Sequence, residues 1–338
     1  MKDAPVRHRL EYALFVGLRS VLQSLPHSAA RACGGALGRL AHRLDRRHRR
    51  VALRNLALAF PELPPAARRR LAARCFRHFG AALCDLISAD RFDPVEVCRR
   101  FSYEGWEHLD AAERLGKGVF LLGAHHGCWE ISGRPIGLYR GTLHTIARPA
   151  DNPYFERELS RLRARHGYEV IHKRGAARRM LQVLRAGGRI GILPDQRVRP
   201  HEGILVPFFG HPALTTPVLA RLSLRSGAPV VPVFAYPEPR GRYRVVVRPP
   251  ILPPSISRER NAKAAAPTNA DQAAHAANAA DIAEGDRIAA DSSEIVAALT
   301  RRYLEVIERE IRDHPHMWLW MHRRWDPPER EPQQPPAR

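Results

Sequence analysis

The chain has 338 residues, 44% of them hydrophobic, enough for one large domain or two small ones with a substantial core. Its formal net charge of +21, from 55 Lys and Arg against 34 Asp and Glu, implies an anionic partner: a lipid headgroup surface, an acidic protein or nucleic acid. No stretch reaches the roughly 18 apolar residues that a spanning helix needs, which leaves a surface-lying mode open. Five cysteines (Cys33, Cys75, Cys84, Cys98, Cys128) contain no CxxC pair, so a disulfide framework is not expected and a reducing compartment is the simpler reading.

Residues 8–90 read as amphipathic helices. Leu10, Leu14, Leu18, Val21, Leu22 and Leu25 recur at helical spacing, beside Arg7, Arg9 and Arg19. The modest apolar segment Tyr12–Leu18 is followed by no clear small-x-small cleavage site, so no signal peptide is read. "HRLDRRHRR" then packs Arg43, Arg46, Arg47, Arg49 and Arg50 together, and "VALRNLALAF" runs to the stop at Pro61. Leu71, Cys75, Phe79, Leu83 and Leu86 mark one side of a further helix. The arginine runs are either solvated faces or a basic surface that lies on anionic lipid; the shortage of nearby acids favours lipid.

From about residue 118 short apolar runs alternate with amphipathic helices. Val119–Leu122, Leu143–Ala147, "YEVIHK", "RIGILPDQ", "APVVPVFAYPEP" and "GRYRVVVRPP" read as strands, with a long loop leading to "LVPFFG". Helices are expected near Trp129, over 154–165, in "AARRMLQVLRAGG" and in "TTPVLARLSLRSG". This alternation predicts an α/β fold: a mixed, mostly parallel sheet flanked by helices, preceded by an N-terminal amphipathic helical region. Ligands of such sheets bind beyond the carboxyl ends of the strands. "HHGCWE", "RPADNP" and "PDQ" fall there. Residues 255–290, rich in Ala, Asn and Asp, read as a flexible insertion, partly helical. Asp291 and Glu294 look like a helix start, Pro315 a helix end, and "EPQQPPAR" a disordered tail. The expected organisation is a helical, membrane-associating region over 1–100, an α/β domain over 101–326 and a tail over 327–338.

The stretch "GVFLLGAHHGCWE" carries the chemistry. His125 ends a strand, and Glu130 falls in the first turn of the next helix. Across such a turn the carboxylate can accept a hydrogen bond from one imidazole nitrogen, fixing the tautomer and making the other nitrogen basic. Gly127 permits the turn. Three readings compete: a satisfied core histidine, a zinc site made by His125, His126, Cys128 and Glu130, and a nucleic-acid surface. The carboxylate at short spacing weakens the first. The zinc reading lacks the usual paired spacing. The third lacks any RNA- or DNA-binding motif.

"GAHHGCWE" resembles the H-x4-D/E motif of bacterial lysophospholipid-type acyltransferases, and more closely the H-F-G-N-W-E form of the late lipid A acyltransferases. "ARPADNPYFERELSRLRARHG" resembles their R-P-x-x-N-P segment, and "GILPDQ" with "VPFFGHPALTTP" their third block. "HPHMWLWMHRRW" is similar to their C-terminal ending, and "RRVALRNLALAFPEL" to their N-terminal helices. The five occur in order over about residues 10–250 and 295–326. His126 and Cys128 depart from the pattern, standing where the family usually has Phe and often Asn.

The resemblance implies a glycerol-3-phosphate acyltransferase-like fold. It implies transfer of a fatty acyl chain from acyl carrier protein to a hydroxyl of a lipid A precursor, at the cytoplasmic face of the inner membrane, with no cofactor and no metal. Acylation of another membrane lipid, or catalytically silent binding of anionic lipid or nucleic acid, stands as the alternative. Carried onto this chain, the motif makes His125 the general base and Glu130 its orienter. Arg148 would bind anionic groups, a role that suits a guanidinium fork. Asp195 and Gln196 would shape the substrate site, with a loop cap as the competing reading of Asp195. Cys128 is read as packing, because direct transfer needs no covalent step. Trp318, Trp320 and Trp325, with Arg323 and Arg324, suit an interfacial belt, with core packing as the competing reading. A basic chain suits both an acidic carrier protein and an anionic membrane surface; nucleic acid is not expected.

Overall fold

The computed structural model describes residues 5–88, 92–147, 150–172, 175–254 and 274–325, the last including side chains from residue 293. Four helices open the chain: α1 (Val6–Ser24), α2 (His27–Leu44), α3 (Arg46–Ala59) and α4 (Pro65–Ser88). Next come α5 (Pro94–Arg100), β1 (Phe101–Glu104), α6 (Trp106–Glu113), β2 (Val119–Leu122), α7 (Trp129–Ser132) and α8 (Arg134–Tyr139). They lead to β3 (Leu143–Ile146), α9 (Pro153–Arg165), β4 (Tyr168–Ile171), α10 (Ala176–Arg185) and β5 (Arg189–Ile192). A hairpin of β6 (Ile204–Phe208) and β7 (His211–Thr215), then α11 (Val218–Ser226), β8 (Val230–Glu238) and β9 (Arg242–Val247), complete the α/β part. The long helix α12 (Ala274–Asp313) and a strap over residues 315–325 follow.

Seven strands form one sheet in the order β1-β9-β8-β2-β5-β3-β4. Every pair is parallel except β8 with β9, so β1 and β9 run against the other five. This is the expected mixed, mostly parallel sheet with helices on its faces. β2 sits at its centre with all four residues buried, which is why it reads as an unbroken apolar run rather than an alternation. Its side chains still point alternately to two faces: Phe120 and Leu122 join one core cluster, Val119 and Leu121 the other. Local punctuation agrees with local chemistry. Asp93 and Asn152 cap α5 and α9, each followed by proline in the first turn.

Two expectations change. Residues 255–273 of the expected insertion lie outside the described residues, but the backbone is helical from Ala274, so Asp291 and Glu294 sit inside α12 rather than at its start. The expected tryptophan belt is instead core: Trp318, Trp320 and Trp325 are buried, and Arg324 is buried with them. Trp318 and Trp320 pack edge-to-face on one another and on Phe208 and Phe209 respectively, and Trp325 stacks on Phe208. No described helix is long and apolar enough to cross a membrane.

The N-terminal helices brace the α/β part. Asn55 Nδ2 of α3 donates to the carbonyls of Trp320 (2.8 Å) and His322 (2.7 Å), and Cys75 Sγ of α4 to that of Trp318 (3.2 Å). α4 in turn rests on α2 through backbone contact. A Cβ at Gly38 would lie 2.1 Å from the Phe76 carbonyl oxygen, which no side-chain adjustment relieves. Gly38→Ala would gain about 1 kcal/mol of helix propensity, but overpacking costs about 1–3 kcal/mol, so the crossing should lose. A lower thermal melting temperature than the parent is the expected outcome; an equal or higher one shows that the helices can separate without penalty.

Candidate active site

Parallel pairing places two strand tips side by side. Leu122 of β2 and Ile192 of β5 are register partners, and three residues on from each stand His125 and Asp195. Asp195 is 0% exposed. Its Oδ1 accepts from His125 Nδ1 (2.8 Å), while Oδ2 accepts from the His125 backbone N–H (2.8 Å) and from Trp318 Nε1 (2.8 Å). Burial raises the carboxyl's pKa, but the charge of His125 and these donors outweigh it and hold Asp195 below the ordinary carboxylate range. An ionised carboxylate only accepts, so Nδ1 carries the proton and Nε2 is left as the basic nitrogen. For His125 itself burial lowers the pKa. The Asp195 charge and hydrogen bond, with a smaller push from Glu130, reverse that and leave it raised.

The loop is locked from three sides. Gly127 has φ of 61°, and a Cβ there would sit 2.1 Å from the Ala235 carbonyl oxygen, so only glycine lets the chain turn against β8. The strap zips onto it: Gly127 N donates to Met317 O and Leu319 N to His125 O, each at 3.0 Å. From α4, His78 Nε2 meets the Gly127 carbonyl at 3.1 Å, and burial drives that imidazole's pKa down to about 4, so it stays neutral and donates.

The neighbours of His125 separate cleanly. His126 is buried, its Nε2 turned to the His314 carbonyl (3.2 Å), and burial lowers its pKa to about 3. It is a core histidine, its ring bonded through Nε2 alone while its buried Nδ1 has no hydrogen-bond partner among the described residues. Cys128 is buried, and burial pushes its thiol far up, which leaves an unreactive packing group. Among the described residues no group of three or more His, Cys, Asp or Glu is arranged to hold a metal ion.

A cavity of about 840 Å³ opens beside the imidazole. His125, Glu130 and Gln196 face it, with Arg163 and Arg221 among its polar groups. Most of its wall is apolar, including Leu121, Ile136, Leu143, Met180, Leu193 and Val218. Some of these stand on one face of the sheet and some on the other, so the cavity wraps the strand tips. The size is ordinary for a site that takes a small amphiphile.

The sequence-based site is rearranged in two respects. Glu130 was expected to orient His125, but Asp195 holds the imidazole, while Glu130 on the cavity wall pairs with Arg163 at 3.6 Å. Asp195 was expected to face substrate, but it lies behind the imidazole. Arg148 lies outside the described residues. Sequence reasoning passed over Trp318 as a donor to Asp195, along with His78 and Arg163. The signal for Trp318 was its place in "MWLWMHRRW", a segment read for its affinity to lipid rather than for its indole N–H.

Comparison with known proteins bears on this geometry. The chain is 25% identical over 314 residues to a lipid A biosynthesis lauroyltransferase of Escherichia coli (strain K12), covering 92% of this chain and 90% of the relative. It is 27% identical over 306 residues to a lipid A biosynthesis palmitoleoyltransferase of the same organism, covering 89% and 86%. A phosphatidylinositol mannoside acyltransferase of Mycobacterium tuberculosis is 30% identical over 140 residues, 40% of this chain and 44% of the relative. Residues 2–326 match one family across both the helical region and the sheet, and on that match the chain is an acyltransferase belonging to the bacterial lipid A biosynthesis acyltransferases.

Proposed function

We propose that the protein transfers a fatty acyl chain from the thioester of an acyl carrier protein to a hydroxyl of a lipid A precursor. The observation that carries this reading is the Asp195–His125 pair at the edge of a large, mostly apolar cavity. Nε2 of His125 takes the proton of the acceptor hydroxyl as its oxygen attacks the thioester carbonyl. The tetrahedral intermediate then expels the thiolate, which recovers the proton from the imidazolium; a C–O bond forms and a C–S bond breaks. Asp195 positions the ring and stabilises its charged form. Glu130 adds negative potential at the cavity wall and holds Arg163, and Gln196 contacts substrate. Arg148 is assigned to anionic groups of acceptor or donor on its chemistry and its place in the motif. The apolar walls take acyl chains.

The cytoplasmic face of the inner membrane is the proposed site of action, with the protein lying on the surface. Val6, Leu10, Leu14 and Leu18 of α1 leave an exposed apolar row, and Leu37, Leu40 and Leu44 of α2 a second. With a net charge of +21, those rows suit an anionic bilayer.

His125→Ala should reduce transfer on the order of 100- to 10,000-fold while the protein still folds, because Asp195 keeps its donors from Trp318 and the backbone. Steady-state rates with circular dichroism on the same sample check this; near-normal turnover would end the general-base assignment. A pH profile tests the positioning role. The base works when neutral, so activity should rise with pH through a pKa above the ordinary histidine value of about 6.5. Asp195→Asn removes the interaction that raises it and leaves the lowering effect of burial. The acid limb should move to lower pH as kcat falls; an unmoved limb assigns Asp195 to structure alone. Chain length is readable at Gly191 of β5. It lies on the cavity wall between its register partners Leu121 and Thr145, and a Cβ there would meet nothing closer than 3.6 Å. Gly191→Val should fold and turn preference toward shorter acyl donors, by roughly 10-fold or more in relative kcat/KM. An unchanged donor profile removes this part of the wall from the acyl path.

A further inference from the structure

The strap holds three tryptophans whose indole N–H groups are used differently. Trp320 Nε1 donates to the Pro315 carbonyl (2.6 Å) within the strap, and the buried Nε1 of Trp325 has no hydrogen-bond partner among the described residues. Trp318 Nε1 donates to Asp195 Oδ2 (2.8 Å), an ionised acceptor directly behind the imidazole. The place of this indole is fixed by three other parts of the fold. Its ring, 1% exposed, packs edge-to-face on Phe208 of the β6–β7 hairpin, 5.6 Å between centroids, and on Trp320 at 4.6 Å. Its carbonyl accepts from Cys75 Sγ of α4, and its backbone forms an isolated antiparallel bridge with His126 in the His125 loop. Apolar packing of this kind asks only for a large ring; the N–H is what an indole adds to it.

We propose that Trp318 is a positioning residue for acyl transfer: acting through Asp195, its N–H fixes the carboxylate and moderates the negative charge presented to His125. The proposal rests on the general-base reading of His125 and deepens it. The physical reason lies in how the carboxylate is shared. Oδ1 accepts from the His125 ring, and Oδ2 from the His125 backbone and the indole. Donors on one carboxylate draw on the same charge, so each further N–H leaves a weaker acceptor for the ring. The positive end of the indole dipole also faces the pair and disfavours a second positive charge there. Asp195 makes Nε2 basic; Trp318 limits how basic, which keeps the ring neutral and able to accept a proton over a wider pH range. The other charged groups near the pair are Glu130 of α7, Arg197 after β5 and Arg324 of the strap. His78 of α4, His126 and His322 are held neutral by burial, and His314 follows the end of α12. A change confined to the indole nitrogen alters none of these.

The test replaces the indole N–H of Trp318 by sulfur, through site-specific incorporation of benzothienylalanine into the full chain. Shape and apolar surface are kept and only the donor is lost. The same replacement at Trp320 is the control, because it removes a strap hydrogen bond that does not reach Asp195. The His125 ring is titrated through its isotope-labelled nitrogens, whose signals are identified by their absence in His125→Ala, and the pH profile of kcat is measured beside it. At Trp318 the titration and the acid limb should both move to higher pH. Turnover on that limb should fall roughly 3-fold and recover at high pH, with KM unchanged. At Trp320 both should stay with the parent. In an Asp195→Asn background the replacement at Trp318 should leave the titration unmoved. An unmoved titration in the single variant overturns the proposal, and so does a move to lower pH. Equal moves at Trp318 and Trp320 also overturn it and leave the indole only a part in holding the strap. Should the replacement at Trp318 not fold, Trp318→Phe supplies a second protein without the donor, and the direction of its titration decides in the same way. Near-normal turnover of His125→Ala ends the general-base reading separately, while the ring titration still reports what the indole does to His125.

Discussion

Asp195 is a buried, ionised carboxylate, and three N–H groups make that state tolerable: two from His125 and one from Trp318. An unpaired buried charge costs several kcal/mol, so the donors are a condition for this geometry rather than an addition to it. They come from the tip of β2 and from the C-terminal strap, while the carboxylate comes from the tip of β5. One small group therefore ties together three segments far apart in sequence. The strap is held in turn by Asn55 and Cys75 from the N-terminal helices. The arrangement of His125 thus depends on both ends of the chain being packed, although the imidazole itself lies in the middle.

The broad architecture was legible from periodicity. Short apolar runs alternating with amphipathic helices translate directly into a mostly parallel sheet, because a buried parallel strand cannot show alternation and a crossover needs a helix. The position of His125 at a strand tip was legible for the same reason. Its partner was not. Glu130 lies five residues from the histidine and Asp195 seventy, so a reading along the chain prefers the near carboxylate. Which strands are neighbours is decided by packing of whole faces, and the adjacency of β2 and β5 leaves no local mark. Two strand tips ending in "AHH" and "PDQ" at equal distance past their strands was the available clue. The tryptophans show the complementary error. Their amphipathic character fits an interface and a core equally well; only Phe208, Phe209 and the packing of α12 decide for the core.

The cationic excess also sorts once the fold is known. Some arginines bind backbone carbonyls, buried Arg324 under the β6–β7 hairpin and half-buried Arg49 at the end of α2. Others pair with acids at the surface, such as Arg312 with Glu308 and Arg179 with Glu169. A net charge of +21 spread evenly would only keep the protein soluble. On the proposed membrane-surface reading, arginines beside the exposed leucine rows of α1 and α2 would favour one orientation on a charged bilayer.

The difference between the two carboxylates near His125 follows from their surroundings. An orienter has to keep one geometry while the ring gains and loses a proton, which requires a rigid, fully satisfied acceptor in a low-dielectric setting. Asp195 meets that description. Glu130, with its side chain 36% exposed and its ion pair to Arg163 at 3.6 Å, does not. In the more polar cavity wall its field on the imidazole is screened, which is why it contributes less than Asp195 to the raised pKa of His125. A carboxylate so placed is better suited to contact with a substrate that enters and leaves. The short H-x4-E spacing in this chain thus reports a shared cavity, whereas the distant aspartate sets the basicity of the imidazole.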